Sequence, residues 1–381
     1  MRIGINASFL RKPGTGIGQV TWHFLQTLKD LPEAHEHQFF LYTETDYEGE
    51  KWPENFHIKT LTSWWKRDDE LRKYLFEAQA LPLAAQTDKC DVVLSLYQSA
   101  TILTTIPHLV VVHDIIPEIF PQYRSTFRKR FFWNQVKKAL IEASGYITVS
   151  LHTKEDLVKY LKIDPNKVTV CLPSVDPIFE KEVCLPEKAR VVMKYSLPEK
   201  FIYHGGGLEI RKNTELVLRA YKVLTQIMRE KELPQLVISG TIYSQRNSLA
   251  TPVKKLIQEL ELEDKVLLLG HVPLAELPAL YALGEVFIYP SRYEGFGLPV
   301  LEAMKVGVPV ITTRITSLPE VGGETVLYTH PDDKEALARL IKKVLYEDAL
   351  RTELSRGGKQ VAQKFNWVSF TQGVLGAIHK L

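Results

Sequence analysis

The chain has 381 residues, and its formal net charge at pH 7 is only +3. Hydrophobic residues make up 45% of the sequence and charged residues 24%, which is the composition of a globular protein. This length suits two domains of ordinary size, and so small a charge argues against nucleic acid as a partner.

Cysteine use and hydropathy restrict the cellular setting. Cys90, Cys171 and Cys184 are isolated along the chain, a pattern that favours a reducing compartment and excludes a C-x-x-C zinc motif. No apolar run has the length of a membrane span, and the opening MRIGIN is typical of a first strand rather than of a signal peptide. We therefore expect a cytoplasmic protein.

The first half of the chain alternates apolar, strand-like runs with helical segments. Helical connections of this kind indicate parallel pairing of the strands. The predicted strands are MRIGINASFL, HQFFLYT, CDVVLSL, HLVVVHD, GYITVS and KVTVCLP.

A glycine-rich loop, Gly14-Thr15-Gly16-Ile17-Gly18, separates the first strand from a helix. This placement lets the backbone approach a phosphate or a sugar closely. The spacing G-x-G-x-G is not the dinucleotide fingerprint G-x-G-x-x-G. The alternative is a tight turn that needs positive φ angles.

His113 and Asp114 end the apolar run HLVVVHD at the carboxyl edge of a strand. A neutral imidazole at this position can hydrogen-bond a substrate hydroxyl. A histidine that is satisfied by backbone groups near the core fits the same pattern equally well.

Residues 123–138, YRSTFRKRFFWNQVKK, place Tyr123, Phe127 and Phe131 on one helical face with cations on the others. Such a helix can rest on an anionic membrane surface or pack on the first sheet with its basic side chains reaching solvent. We favour packing. The pair Trp64-Trp65 beside Lys66-Arg67 has the same two interpretations.

A charged, proline-containing stretch divides the chain. We assign residues 1–182 to a first Rossmann-like domain, 183–199 to a linker and 200–364 to a second Rossmann-like domain. Residues 365–381 are predicted to form a final helix, for which a return to the first domain is one arrangement. The strands predicted in the second half are FIYHGGG, QLVISG, KVLLLG, VFIYPS, VPVITT and TVLYT. This alternation predicts an α/β fold of two doubly wound domains that face each other across a cleft.

The run GGGLEIRKN, residues 205–213, follows the first strand of the second half. Arg211 and Lys212 stand directly before a helix, where the helix macrodipole disfavours cations. A guanidinium and an ammonium here suit a diphosphate, whereas the alternative is two solvated charges. We favour the diphosphate, because the unfavourable placement needs a reason. Asn213 is expected to cap the helix with its side chain.

Residues 289–313, YPSRYEGFGLPVLEAMKVGVPVITT, form a strand–loop–helix–strand pattern that carries Glu294 and Glu302. The spacing alone is uninformative, because Glu36 and Glu44 share it. The location is informative, because ligands of open α/β sheets bind at this carboxyl edge. Two carboxylates beside an anion site indicate a neutral, hydroxyl-rich ligand such as a sugar or a ribose.

The sequence gives no sign of a metal-dependent or nucleophilic hydrolase site. It contains no D-x-D for a nucleotide-bound metal, no G-x-S-x-G and no Walker A loop. We therefore expect neither a cofactor nor an essential metal.

With these pieces in place, the chain resembles the retaining glycosyltransferases of family 4, also called glycosyltransferases group 1, which have the GT-B fold. The resemblance is carried by EGFGLPVLEAMKVGVPVITT, GGGLEIRKN, LLLGHVPLAELPALYALGEVFIYPS and SLPEVGGETVLYTHPDD, and more loosely by GTGIGQ, VVHDIIP, YITVSLHTKEDL and PSVDPIF. It covers essentially the whole chain. It implies that the first domain binds an acceptor and the second a nucleotide-sugar donor.

The resemblance also implies roles for particular residues. Glu302 would hold the ribose hydroxyls of the donor, and Glu294 would contact hydroxyls of the transferred sugar. Arg211 and Lys212 would neutralise the diphosphate leaving group. The remaining expected contacts to sugar and diphosphate come from His113, Gly16, Phe296, Gly297 and Leu298.

Two positions depart from the family pattern. Gly207, which we include among the substrate-binding residues, stands where many members carry Arg or Thr, so one side-chain contact to the diphosphate is missing there. Ser174 replaces the usual Gly before Val-Asp.

We therefore expect a metal-independent enzyme that moves a hexose from a UDP- or GDP-sugar to a saccharide or a lipid-linked saccharide, with retention of configuration. One rival is a nucleotide-sugar epimerase or hydrolase on the same fold. A second is a non-catalytic subunit that binds a sugar nucleotide, and a nicotinamide dehydrogenase is a distant third because the glycine spacing fails.

Overall fold

The computed structural model describes residues 1–47, 49, 51–61, 68–242 and 248–381, so the Trp64-Trp65 pair lies outside the described residues. These residues form two compact units. Unit 1 comprises residues 1–174 and 365–381, and unit 2 comprises residues 175–364. No helix in the described ranges combines the length and the apolar character that a membrane crossing requires.

The described residues of unit 1 form a parallel seven-stranded sheet in the order β3-β2-β1-β4-β5-β6-β7. Its strands are β1 (Arg2–Asn6), β2 (Gln38–Thr43), β3 (Phe56–Thr60), β4 (Val92–Ser95), β5 (His108–Val112), β6 (Gly145–Thr148) and β7 (Val168–Val170). Its helices are α1 (Gly16–Asp30), α2 (Asp69–Leu75), α3 (Leu81–Thr87), α4 (Ile116–Ile119), α5 (Phe127–Glu142), α6 (Leu151–Leu161) and α15 (Trp367–Ile378).

The described residues of unit 2 form a parallel six-stranded sheet in the order β10-β9-β8-β11-β12-β13. Its strands are β8 (Phe201–His204), β9 (Gln235–Ser239), β10 (Val266–Gly270), β11 (Val286–Tyr289), β12 (Val310–Thr313) and β13 (Leu327–Thr329). Its helices are α7 (Leu185–Tyr195), α8 (Thr214–Ile227), α9 (Val253–Glu259), α10 (Leu277–Leu283), α11 (Leu298–Val306), α12 (Leu318–Gly322), α13 (Lys334–Tyr346) and α14 (Asp348–Ala362).

Every predicted strand is present, and β3 is an additional one that sequence analysis missed. Its sequence FHIKT mixes polar and apolar residues, and only Phe56 is buried. An edge strand needs no continuous apolar run, since one of its sides lacks a neighbouring strand.

The predicted boundaries of the linker differ from the observed ones. Residues 183–199 contain helix α7, and the chain passes into unit 2 at Val175. Phe179 is fully buried, with its ring centroid 6.0 Å from that of Tyr281, and Val191 of α7 is also buried. This segment is therefore packed into unit 2 by its own apolar side chains.

Helix α15 belongs to unit 1 although it follows unit 2 in the chain. Phe370 of α15 packs edge-to-face on Phe24 of α1, with the ring centroids 6.3 Å apart. Ser174 is the last residue of unit 1 before unit 2, and Phe365 is the first residue of unit 1 after it. The Ser174 hydroxyl donates a hydrogen bond of 3.0 Å to the carbonyl of Phe365.

We expect Phe370→Ala to destabilise unit 1 by about 3–5 kcal/mol, because it removes a buried aromatic ring and leaves a cavity. All six tryptophans lie within residues 1–174 and 365–381, so tryptophan fluorescence during urea unfolding follows unit 1 alone. Val368→Ala, on the half-exposed side of the same helix, is the control. Equal shifts in the two variants would contradict the packing described.

Candidate active site

The predicted site residues of unit 2 lie at the point where the strand order reverses. From β8 the chain proceeds to β9 on one side, whereas β11 pairs with β8 on the other. Ligands of open α/β sheets bind at such a switch point, outside the carboxyl ends of the strands. The loop after β8 carries Arg211 and Lys212, and the loop after β11 carries Glu294.

Glu294 joins both predicted cations in one buried cluster. Glu294 is only 7% exposed. Its Oε2 accepts a hydrogen bond from Arg211 Nη1 at 2.8 Å, and its Oε1 accepts from Lys212 Nζ at 2.8 Å. Oε1 also accepts from the Tyr289 hydroxyl at 2.8 Å and from Ser291 Oγ at 2.7 Å. The first acid and the two cations of the sequence analysis are thus direct partners.

The cluster is electrically balanced. Arg211 also donates through Nε to Glu209 Oε2 at 2.8 Å, so two carboxylates face two cations. Burial alone would raise the pKa of Glu294, but Arg211 and Lys212 lower it to about 2. Glu294 is therefore ionised throughout the physiological pH range. These carboxylates explain why two cations can precede a helix.

Glu302 is also 7% exposed, yet its surroundings differ sharply. Its Oε2 accepts a hydrogen bond of 2.9 Å from the Tyr281 hydroxyl, its sole hydrogen bond with the described part of the chain. Burial raises the pKa of Glu302 to about 7, opposed by Tyr281 and Lys212 and reinforced by Asp176. Glu294 is therefore paired with cations, whereas Glu302 can accept further hydrogen bonds and titrates near pH 7.

The sequence pattern did not point to His204, and the predicted contact of Asn213 is wrong. Asn213 precedes α8 in a left-handed conformation, and its amide donates to the carbonyls of Pro290 (3.1 Å) and Pro331 (2.7 Å) instead of capping the helix. His204 Nδ1 donates to the carbonyl of Ile288, and its Nε2 accepts from the Thr214 hydroxyl; both distances are 2.9 Å. Burial lowers the pKa of His204 to about 4, so the ring is neutral. His204 ends β8 directly before three glycines, and this position is the feature of the sequence that could have indicated it.

Backbone conformation explains two of the predicted glycines. Gly207 has φ +101°, and Gly297 has φ +114°, both in the region that favours glycine. Gly297 immediately precedes α11, which begins at Leu298, and Phe296 before it is buried. The backbone of Phe296, Gly297 and Leu298 therefore forms the entry to the helix that carries Glu302.

In unit 1, His113 has the neutral imidazole that its sequence context suggested. Its Nε2 donates a hydrogen bond of 2.9 Å to the carbonyl of Leu96, which leaves the Nδ1 lone pair as an acceptor. Burial lowers the pKa of His113 to about 4. The backbone contact of Nε2 agrees with the second interpretation of His113, and the contact of its Nδ1 with a substrate hydroxyl stays a prediction.

The glycine-rich loop of unit 1 does not rely on positive φ angles, since Gly14, Gly16 and Gly18 all lack them. Gly16 begins α1, and the Thr15 hydroxyl caps the helix by accepting from the Gly18 amide at 3.1 Å. A Cβ on Gly18 would lie 1.8 Å from the carbonyl oxygen of Lys12. Close backbone packing, rather than a tight turn, requires that glycine.

The structure places the predicted residues in two separate groups. Gly16 and His113 belong to unit 1, and all the others belong to unit 2. In the described ranges, no group of three or more His, Cys, Asp or Glu side chains is arranged to hold a metal ion.

Two sequence families match this chain. The family "Glycosyltransferase Family 4" matches residues 14–178, and the family "Glycosyl transferases group 1" matches residues 187–361. O-antigen chain mannosyltransferase B of Escherichia coli is 32% identical over 270 residues, which are 70% of this chain and 68% of that protein. O-antigen chain mannosyltransferase RfbU of Salmonella typhimurium is 27% identical over 369 residues, which are 94% of each protein. The chain belongs to the group 1, family 4 glycosyltransferases.

The fold agrees with this assignment. The structure of Anabaena Alr3699/HepE in complex with UDP and glucose superimposes with a TM-score of 0.73 at 17% identity, covering 100% of this chain and 99% of that one. Both units are thus Rossmann-like domains of the GT-B fold class.

We expect Glu294→Gln to destabilise unit 2 by about 3–5 kcal/mol, because it leaves the buried Lys212 without its anionic partner and removes one of the two carboxylates that Arg211 contacts. The double variant Glu294→Gln, Lys212→Met should recover part of that loss by removing the buried ammonium. Urea unfolding followed by far-UV circular dichroism measures this, with the tryptophan signal of unit 1 as an internal reference. Glu353→Gln, at an exposed position of α14, should change nothing. A Glu294 variant as stable as this control would show that the carboxylate does not offset the cations.

Proposed function

We propose that the chain transfers a hexose from a nucleotide-diphosphate sugar to a saccharide or lipid-linked saccharide, with retention of configuration and without an essential metal. The observation that carries this proposal is the balanced cluster of Arg211, Lys212 and Glu294 at the switch point, with Glu302 on the adjoining helix. Both relatives above are named as O-antigen chain mannosyltransferases, which favours polysaccharide assembly as the setting.

Arg211 and Lys212 are proposed to stabilise the diphosphate as it leaves. Cleavage of the anomeric bond places negative charge on the diphosphate, and cations held in advance lower the energy of that state. Glu294 fixes both cations through bonds of 2.8 Å, so they need not reorganise during the reaction. The same bonds partly neutralise the two cations. The nucleotide diphosphate is therefore held less tightly and can leave after transfer.

Glu302 is proposed to accept hydrogen bonds from the ribose hydroxyls. An ionised carboxylate offers about four acceptor positions, and Tyr281 uses one of them. The remaining capacity suits the paired 2′ and 3′ hydroxyls of a ribose.

The other predicted contacts complete the proposal. The His113 Nδ1 lone pair would accept from a hydroxyl of the donor sugar, and Gly16 at the start of α1 would approach its phosphates. Backbone groups of Phe296, Gly297 and Leu298 would contact sugar and diphosphate. Gly207 offers no side chain to the diphosphate, which increases the share carried by Arg211 and Lys212.

Glu294 is a poor candidate for the nucleophile of a two-carboxylate mechanism. Its pKa near 2 makes it a weak base, and its Oε1 already accepts three hydrogen bonds. The departing phosphate can instead accept the proton of the acceptor hydroxyl while that oxygen attacks from the same face. This route gives retention without a glycosidase-like pair.

We expect one nucleotide among UDP, GDP and ADP to raise the melting temperature of unit 2, by an amount that chelator leaves unchanged and Glu302→Ala abolishes. Nucleotide at a hundred times its Kd adds about 2.7 kcal/mol to the stability of the unit that binds it. UDP is included because the Anabaena structure contains it. Thermal unfolding with magnesium or EDTA measures this, and Glu353→Ala is the matched control.

Failure of every nucleotide to stabilise the wild type would overturn the donor-site assignment. If a nucleotide does bind, product analysis by NMR separates glycosyl transfer from epimerisation and hydrolysis of the nucleotide sugar. Transfer requires a saccharide acceptor, and its product keeps the anomeric configuration of the donor sugar. Epimerisation and hydrolysis need no saccharide acceptor.

We also propose that α5 rests on an anionic membrane surface. Its inner face packs on the sheet, as expected: Trp133 is buried in one cluster with Val110 and Val112 of β5. Its Nε1 also donates to Glu118 Oε2 at 2.7 Å. Its outer face leaves Phe127 80% exposed and Ile141 54% exposed. Arg130 and Lys138 share that face and have no carboxylate partner in the described part of the chain. Exposed apolar groups among unpaired cations suit an anionic bilayer.

We expect the protein to co-sediment with phosphatidylglycerol vesicles at low salt and to lose at least about tenfold in affinity in the variant Arg130→Glu, Lys138→Glu. The variant Lys159→Glu, Lys167→Glu changes the charge equally at exposed positions elsewhere in unit 1. Equal binding by the two variants, or no binding by the wild type, would exclude α5 as the contact.

A further inference from the structure

Tyr281 is a buried residue whose hydroxyl makes one hydrogen bond within the described ranges, to the proposed donor site. It lies on α10, is 1% exposed, and its hydroxyl donates to Glu302 Oε2 at 2.9 Å. Its apolar neighbours in LPALYAL are typical of an ordinary core residue, so the sequence alone does not point to Tyr281. A core tyrosine that serves only packing does not need a hydroxyl aimed at a carboxylate.

Three aromatic rings fix the position of that hydroxyl. The ring of Tyr281 packs edge-to-face on Phe287 at 4.9 Å, on Tyr203 at 5.2 Å and on Phe179 at 6.0 Å between centroids. These rings come from β11, from β8 and from the segment before α7. The hydroxyl therefore has little freedom to move, and it holds one oxygen of Glu302 in place.

We propose that Tyr281 is a positioning residue for donor binding, which holds Glu302 in the orientation and the ionised form that accept the ribose hydroxyls. This inference rests on the proposed function. The hydroxyl donates to the carboxylate and stabilises its charge, while the second oxygen remains available to the ligand.

The charged and titratable groups around Glu302 set the sign of the expected pH effect. They are Tyr281 on α10, Lys212 before α8, Asp176 before α7, Tyr203 on β8 and Tyr289 on β11. Burial has already raised the pKa of Glu302 to about 7, so loss of the Tyr281 hydrogen bond raises it further. At a fixed pH near 7 less of the carboxylate is then ionised.

The test compares Tyr281→Phe with Tyr203→Phe, which removes a hydroxyl from the same ring cluster. The Tyr203 hydroxyl pairs with Ser239 Oγ at 2.7 Å and makes no bond to Glu302. Binding of UDP and of GDP is measured by calorimetry between pH 5.5 and 9. Ionisation of the nucleotide's own phosphate affects all variants alike.

We expect wild-type affinity to rise through pH 7 and level off above it. For Tyr281→Phe the midpoint should move up by about one pH unit, so affinity falls about fivefold at pH 7 and recovers at pH 9. Tyr203→Phe should follow the wild type. Glu302→Gln should bind weakly and should keep only the pH dependence that comes from the phosphate of the nucleotide itself.

The outcomes separate this inference from the proposed function. If neither nucleotide binds the wild type, or if Glu302→Gln binds like the wild type, the donor site itself fails. If Glu302→Gln weakens binding but Tyr281→Phe keeps the wild-type pH profile, only the positioning role fails. A pH-independent loss shared by Tyr281→Phe and Tyr203→Phe would assign Tyr281 to packing alone.

Discussion

The site of unit 2 depends on one interaction: the carboxylate of Glu294 holding Arg211 and Lys212. Each cation alone would be costly where it lies, since Lys212 is buried and both precede a helix. A carboxylate between them removes that cost and fixes their geometry. The same contact joins the loop after β8 to the loop after β11, so the two sides of the switch point form one rigid edge.

Glu294 and Glu302 show that burial alone does not determine the pKa of a glutamate. Glu294 and Glu302 are equally buried, yet the pKa of the first is about 2 and that of the second about 7. The difference lies in the partners, because Glu294 touches two cations and Glu302 touches a neutral phenol. The same type of side chain thus pairs with cations at one position and keeps hydrogen-bond acceptor capacity at the other.

The sequence allowed most of the fold and part of the site to be predicted, for identifiable reasons. Buried parallel strands are continuous apolar runs, so their ends and the loops that follow them can be located. The edge strand β3 lacks such a run, and the charged sequence of α7 is typical of a linker. The pairing of Glu294 with cations some 80 positions earlier depends on which strands become neighbours, and periodicity does not contain that information. Tyr281 was missed because a hydroxyl's direction cannot be read from its apolar neighbours.

The division of the chain has a consequence for how the molecule comes to be folded. Unit 2 is continuous, whereas unit 1 lacks α15 until residues 365–381 have been made. During synthesis the surface of α1 at Phe24 therefore stays without its cover from α15 until all of unit 2 has left the ribosome. Unit 2 can close its own core first. Any attempt to produce unit 1 by itself must accordingly rejoin α15 to residues 1–174 with a short connection, since the segment cut off at residue 174 would expose the surface that Phe370 covers.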